Sequence, residues 1–85
     1  MIDREQKLRL GDARKLSQMM QGESVPSSGL SKQMAEELLS EDLIWQQVYG
    51  SRRKFKLRDA NALSIYLAQR YGIQVSLDEW IKVME

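Results

Sequence analysis

Apolar positions in this chain recur at helical spacing in four stretches, and between the second and third of them the spacing changes to that of a strand pair. The first stretch sets Ala13, Leu16 and Met20 on one face with Met19 beside them. It predicts a helix from a candidate N-cap at Asp12 to a stop at Gly22. Residues 2–9 read either as one earlier turn or as a solvated lead-in, because Lys7 and Arg9 flank Leu8. Glu23-Ser24-Val25-Pro26 breaks the pattern, since Pro26 fixes its own backbone and biases Val25 toward an extended conformation. A second helix is predicted to start in the hydroxyl-rich stretch 27–31. In it Leu30, Met34 and Leu38 repeat every four residues, joined by Ala35 and Leu39, and Lys32, Gln33, Glu36 and Glu37 point away. Ser40-Glu41-Asp42 ends it.

Leu43 to Tyr49 fits no helical spacing and is rich in strand-favouring residues, Ile44, Trp45, Val48 and Tyr49. Its alternation is imperfect, because Gln47 shares a face with Leu43, Trp45 and Tyr49. Gly50-Ser51 is a turn signal. Beyond it Phe55 and Leu57 alternate with Lys54, Lys56 and Arg58, so one face of the second strand packs inward and the other carries positive charge. Trp45, Tyr49 and Phe55 read as core residues rather than as a surface for stacking bases, since aromatic side chains usually carry buried area. Asp59 is the candidate cap of a third helix, whose Ala60, Leu63, Tyr66, Leu67 and Tyr71 form one face before a stop at Gly72. After the extended link Ile73-Gln74-Val75, the tetrad Ser76-Leu77-Asp78-Glu79 is a capping box, with Val75 and Trp80 placed as a hydrophobic staple. Leu77, Trp80, Ile81 and Met84 follow at i, i+3, i+4 and i+7.

Eighty-five residues are enough for one small α+β domain and a single core. Neither cysteine nor histidine occurs. That removes disulfides, thiolate metal sites, the usual zinc ligands and the usual proton shuttle near neutral pH. No nucleophile elbow, phosphate-cradling glycine loop or carboxylate–metal spacing appears, so neither an enzyme nor a cofactor is expected. The opening Met1-Ile2-Asp3-Arg4-Glu5-Gln6-Lys7 is too charged for a signal peptide, and no apolar run nears the ~20 residues of a membrane span. The expected location is the cytoplasm. The chain stops on the apolar stripe of its last predicted helix, which suits either a docked terminal helix or the first domain of a longer protein.

Charge is distributed in blocks: +2 over residues 1–22, −4 over 23–48, +5 over 49–58 and −2 over 59–85. Arg52, Arg53, Lys54, Lys56 and Arg58 thus put five cations into seven residues with no acid among them, in a chain whose net charge is only +1. A surface this polarised can steer a polyanion despite the small net charge.

The order helix, extended break, helix, strand, basic turn, strand, over about residues 11–58, resembles the winged helix-turn-helix superfamily, with helices over 59–71 and 76–85 added behind it. The resemblance is carried by element order, in Ala13–Gln21, Pro26–Leu39 and the hairpin Leu43–Arg58. It implies helices packed on a two- or three-stranded antiparallel hairpin, with a short strand from the Val25-Pro26 break beside the wing. Leu30–Leu39 would be the recognition helix and Arg52, Arg53 and Lys54 the wing tip. One departure stands out: only Pro26–Asp42 is available where such domains usually hold two helices.

The resemblance implies a non-catalytic domain that binds DNA, with RNA the alternative, as a regulator or as the DNA-contacting module of a larger protein. Its contacts would be Arg52, Arg53, Lys54, Lys56 and Arg58 on the hairpin, and Ser28, Ser31, Lys32 and Gln33 around the start of the second helix. The rival expectation is a protein-interaction or dimerisation module, in which Leu77, Trp80, Ile81 and Met84 dock a partner, a second copy or a further domain, and the basic hairpin is solvated surface. Neither a membrane nor a small-molecule ligand is expected.

Overall fold

A computed structural model of the chain describes residues 8–85. The early turn considered for residues 2–9 lies outside the described residues except for Leu8 and Arg9. Among the described residues the elements are α1 (Leu10–Met20), β1 (Val25–Pro26), a 3-10 turn (Ser27–Gly29), α2 (Lys32–Ser40), β2 (Ile44–Tyr49), β3 (Arg52–Leu57), α3 (Ala60–Tyr71) and α4 (Leu77–Met84). The three strands form one antiparallel sheet in the order β1-β3-β2. The fold is therefore α+β, and the extended break at Val25-Pro26 is a two-residue strand against β3.

Helix α1 touches β1, β3, the 3-10 turn and α4, and its Ala13, Leu16 and Met19 are buried. From the sheet, Val25, Ile44 and Phe55 join them; from the other helices come Leu38, Leu63 and Leu67. Helix α4 lies along α1, where Ser17 donates a hydrogen bond to Asp78 and Arg14 pairs with Glu85 at 2.8 Å.

Asp12 does not cap α1. The helix begins three residues earlier, with Arg9 in the extended N-cap position and no side-chain cap. Asp12 instead sits in the first turn, where a negative charge complements the helix dipole, and turns its carboxylate inward. The backbone N–H of Ser31 donates to Oδ1 at 2.8 Å and the Ser31 hydroxyl donates to Oδ2 at 2.8 Å. Ser31 is in turn the N-cap of α2, its Oγ accepting the Met34 N–H at 3.2 Å. A capping box thus closes across 19 positions of sequence, with the acid supplied by a neighbouring helix.

Helices α1 and α2 end in the same way. Gly22 (φ 94°) sends its N–H to Met19 O while Glu23 N–H reaches Gln18 O. At α2 the corresponding bonds are Asp42 to Leu39 and Leu43 to Leu38. Both are Schellman closures, but the left-handed position of the second is held by Asp42 at φ 60°. Asp42→Val should therefore lose about 1–2 kcal/mol, the cost of a Cβ-branched side chain in that region. Asp42→Gly should match or exceed the wild type, and the two urea midpoints make the comparison.

The caps of α3 and α4 form as expected. Asp59 accepts from Asn61 N–H, and Ser76 Oγ accepts from Glu79 N–H at 3.2 Å while donating to Glu79 Oε1. Trp80 packs against the core, whereas Val75, its intended staple partner, stays exposed.

Between α2 and α3 the Tyr71 hydroxyl donates to both oxygens of Glu37 at 2.9 Å, and the Tyr66 and Tyr71 rings meet edge to face. Burial, then the Glu37 carboxylate, pushes the Tyr71 hydroxyl up to about 12 from 10.0; Tyr66 moves the same way for the same two causes. A raised folded-state value means that the stabilisation is fully present below the unfolded value of 10.0 and is lost as pH climbs toward 12. Stability should fall across that window, and Tyr71→Phe should flatten the fall in urea titrations against pH. Equal slopes in variant and wild type would refute the assignment.

Candidate nucleic-acid interface

The hairpin owes its shape to a two-residue turn. Gly50 takes φ 61°, and Ser51 has negative φ, the pattern of a type II′ turn that matches the twist of paired strands. Register then follows residue by residue, with Ile44 opposite Leu57, Gln46 opposite Phe55 and Val48 opposite Arg53 on the inner side. On the other side Trp45 faces Lys56, Gln47 faces Lys54 and Tyr49 faces Arg52. Because α1 and α2 fill only the inner side near the base, Phe55 is buried and Val48 and Arg53, nearer the tip, are exposed.

The aromatic residues divide by face. Phe55 is core, as expected. Trp45 and Tyr49 are not: 41% and 57% of their surfaces remain exposed on the outer face. Their β2 positions are odd-numbered, out of phase with Ile44, and one step of register sends a side chain to the opposite face.

Arg52, Arg53, Lys54 and Lys56 form no ion pair with a described residue. Arg52, Arg53 and Lys54 line an open cleft of about 480 Å³ between the hairpin tip and the 3-10 turn, together with Pro26, Ser27, Ser28 and Ser51. No acid lines it. The cleft exists because β1 pairs with β3 at Val25–Phe55 and Pro26–Lys54, which carries Ser27 and Ser28 alongside the cations. Such a surface offers hydroxyl groups and several long cations to an anionic ligand.

The remaining residues with expected roles are dispersed. Arg58 is paired with Asp42 at 3.2 Å at the base of the hairpin. Ser31 is spent on Asp12 and Met34. Lys32 is exposed at the first position of α2 and does not line the cleft. Gln33 lines a different depression with Glu36, Glu37, Ser40 and Arg70, an acidic setting that repels phosphate. Of the set proposed for a partner, Leu77 and Ile81 are buried in the protein's own core and Trp80 packs against it, which leaves Met84 exposed. Ser27 shares the cleft with Ser28, and both belong to the hydroxyl-rich stretch whose side chains can hydrogen-bond bases or phosphates.

Among the described residues no helix is long and apolar enough to cross a membrane. No family model, curated protein or solved structure matches this chain.

Proposed function

We propose that this domain binds nucleic acid, and double-stranded DNA in particular, through the cations of the β2–β3 hairpin, acting as a regulator or as the DNA-contacting part of a larger protein. The reading treats the hairpin as the wing of a winged helix-turn-helix domain. It is carried by one observation: Arg52, Arg53 and Lys54 converge with Ser27 and Ser28 on a single open cleft in which no carboxylate of the described residues neutralises them. Phosphates meeting such a cleft exchange condensed counterions for fixed protein cations, and the release of those ions supplies affinity without regard to base sequence. The serine hydroxyls add donors that orient the backbone. Helix α2 contributes little under this reading, since its exposed surface is acidic from Glu36 onward and its N-cap hydroxyl is occupied.

The alternative, docking of a partner on α4, loses its main support because Leu77 and Ile81 already serve the core. A salt titration against a generic duplex tests the proposal. With four free cations engaged, affinity should fall with a log–log slope of about −3 to −4, roughly a hundredfold between 50 and 200 mM salt. No binding at low salt, or binding indifferent to salt, would sink it.

A further inference from the structure

We propose that the outer face of the sheet is a stacking platform for unpaired nucleotides, so that the ligand presents single strand next to the segment held at the hairpin tip. The inference rests on the hairpin reading and narrows it. Two parallel rows make up this face. Trp45, Gln47 and Tyr49 follow one another along β2, and directly across from them on β3 stand Lys56, Lys54 and Arg52. Neither strand contains an acid. The Tyr49 hydroxyl donates to Gln47 Oε1 at 3.1 Å, which lays the tyrosine side chain back along the row.

Dimensions suit an extended strand. Side chains opposite each other in an antiparallel pair stand about 5 Å apart, and four residues of strand cover about 13 Å. Phosphates can therefore track the β3 cations while bases lie over two well-separated rings on β2. Charge selects the occupant: an apolar protein partner would leave Arg52, Lys54 and Lys56 desolvated and uncompensated, whereas a nucleic-acid strand supplies both anions and π-faces. Every base has such a face, so recognition here is tolerant of sequence.

The test uses the full chain carrying Trp80→Phe, which leaves Trp45 as the sole tryptophan. Twelve-residue oligo-dT and a twelve-base-pair duplex are titrated separately. Trp45 emission should be quenched by oligo-dT. Trp45→Ala should lower the ratio of oligo-dT to duplex affinity by at least about fivefold, the lower bound for one lost base–aromatic stack, and Trp45→Phe should restore most of it. K56E, which reverses an outward charge in the same row, should lower oligo-dT affinity too, and decides the matter if Trp45→Ala fails to fold by circular dichroism.

An unchanged ratio in Trp45→Ala, or an effect confined to self-association of the free protein, overturns the platform. The two readings separate cleanly. If R52A/R53A/K54A abolishes duplex binding while Trp45→Ala keeps the wild-type ratio, the hairpin reading stands and the platform falls. If duplex binding keeps its wild-type affinity and salt slope in the triple variant while Trp45→Ala and K56E each lower oligo-dT affinity, the platform stands and the hairpin-tip reading falls.

Discussion

Replacing Arg52, Arg53 and Lys54 together by alanine should remove most of the salt-sensitive affinity for duplex DNA. Each phosphate contact contributes about 0.9 to the log–log salt slope, so the loss of three lowers its magnitude by about 2.7. Between 50 and 200 mM salt the wild type should then weaken roughly a hundredfold and the triple variant only about fourfold. Arg52 and Arg53 are exposed, Lys54 is half-buried, and none of the three makes an ion pair with a described residue, so circular dichroism and urea midpoint should move little. Arg58→Ala is the informative control. Arg58 already has Asp42 at 3.2 Å, and its removal should leave the slope nearly unchanged. A triple variant with the wild-type slope would show that the hairpin is only a solvated surface.

Asp12→Ala should be the most damaging single polar substitution, costing about 2–4 kcal/mol. The reason lies in what the carboxylate leaves behind. Asp12 is buried, and Ser31 donates to it through both its backbone N–H and its hydroxyl. Truncation strands a part-buried N–H, deletes two charge-assisted hydrogen bonds and removes the link between the starts of α1 and α2. A domain of this size has only roughly 4–13 kcal/mol to lose, so the variant should be partly unfolded at 37 °C. Asp12→Asn keeps the shape and one acceptor oxygen and should cost less. Ser31→Ala, which forfeits the N-cap and one bond, should fall near 1 kcal/mol. Urea unfolding of the three variants checks the order, and equal midpoints for Asp12→Ala and Ser31→Ala would contradict it.

Signals confined to a few neighbouring residues could be read directly from the chain. Gly22 and Gly72 mark left-handed positions at the ends of α1 and α3. Ser76 caps α4, Asp59 caps α3, and Gly50 starts the hairpin turn. In each case the determining contact spans five residues or fewer, so backbone preference and side-chain reach suffice. The inward set of β3, Phe55 with Leu57, was equally legible, because its polar neighbours are charged and leave no choice of face. Asp12 was misread for the complementary reason. An aspartate just after a glycine resembles a local cap, and nothing within five residues reveals that Ser31 will take its carboxylate.

Trp45 and Tyr49 mark where reading along the chain runs out. β2 carries apolar side chains on both faces, Ile44 and Val48 on one and Trp45 and Tyr49 on the other, so composition alone does not say which face is wet. Pairing of Ile44 with Leu57 against the helices settles the phase, and the two aromatic rings then go outward beside Lys56 and Arg52. The same holds for the cleft: five cations in seven residues are evident in the letters, but only the β1–β3 pairing brings Ser27 and Ser28 to them and only the Asp42 contact withdraws Arg58. Helix boundaries, caps, turn type and the presence of a basic hairpin are consequences of short-range sterics and hydrogen bonding. Which cations stay free, which rings meet water and which acid is buried depend on contacts between segments distant in sequence, whose geometry exists only once the core has packed.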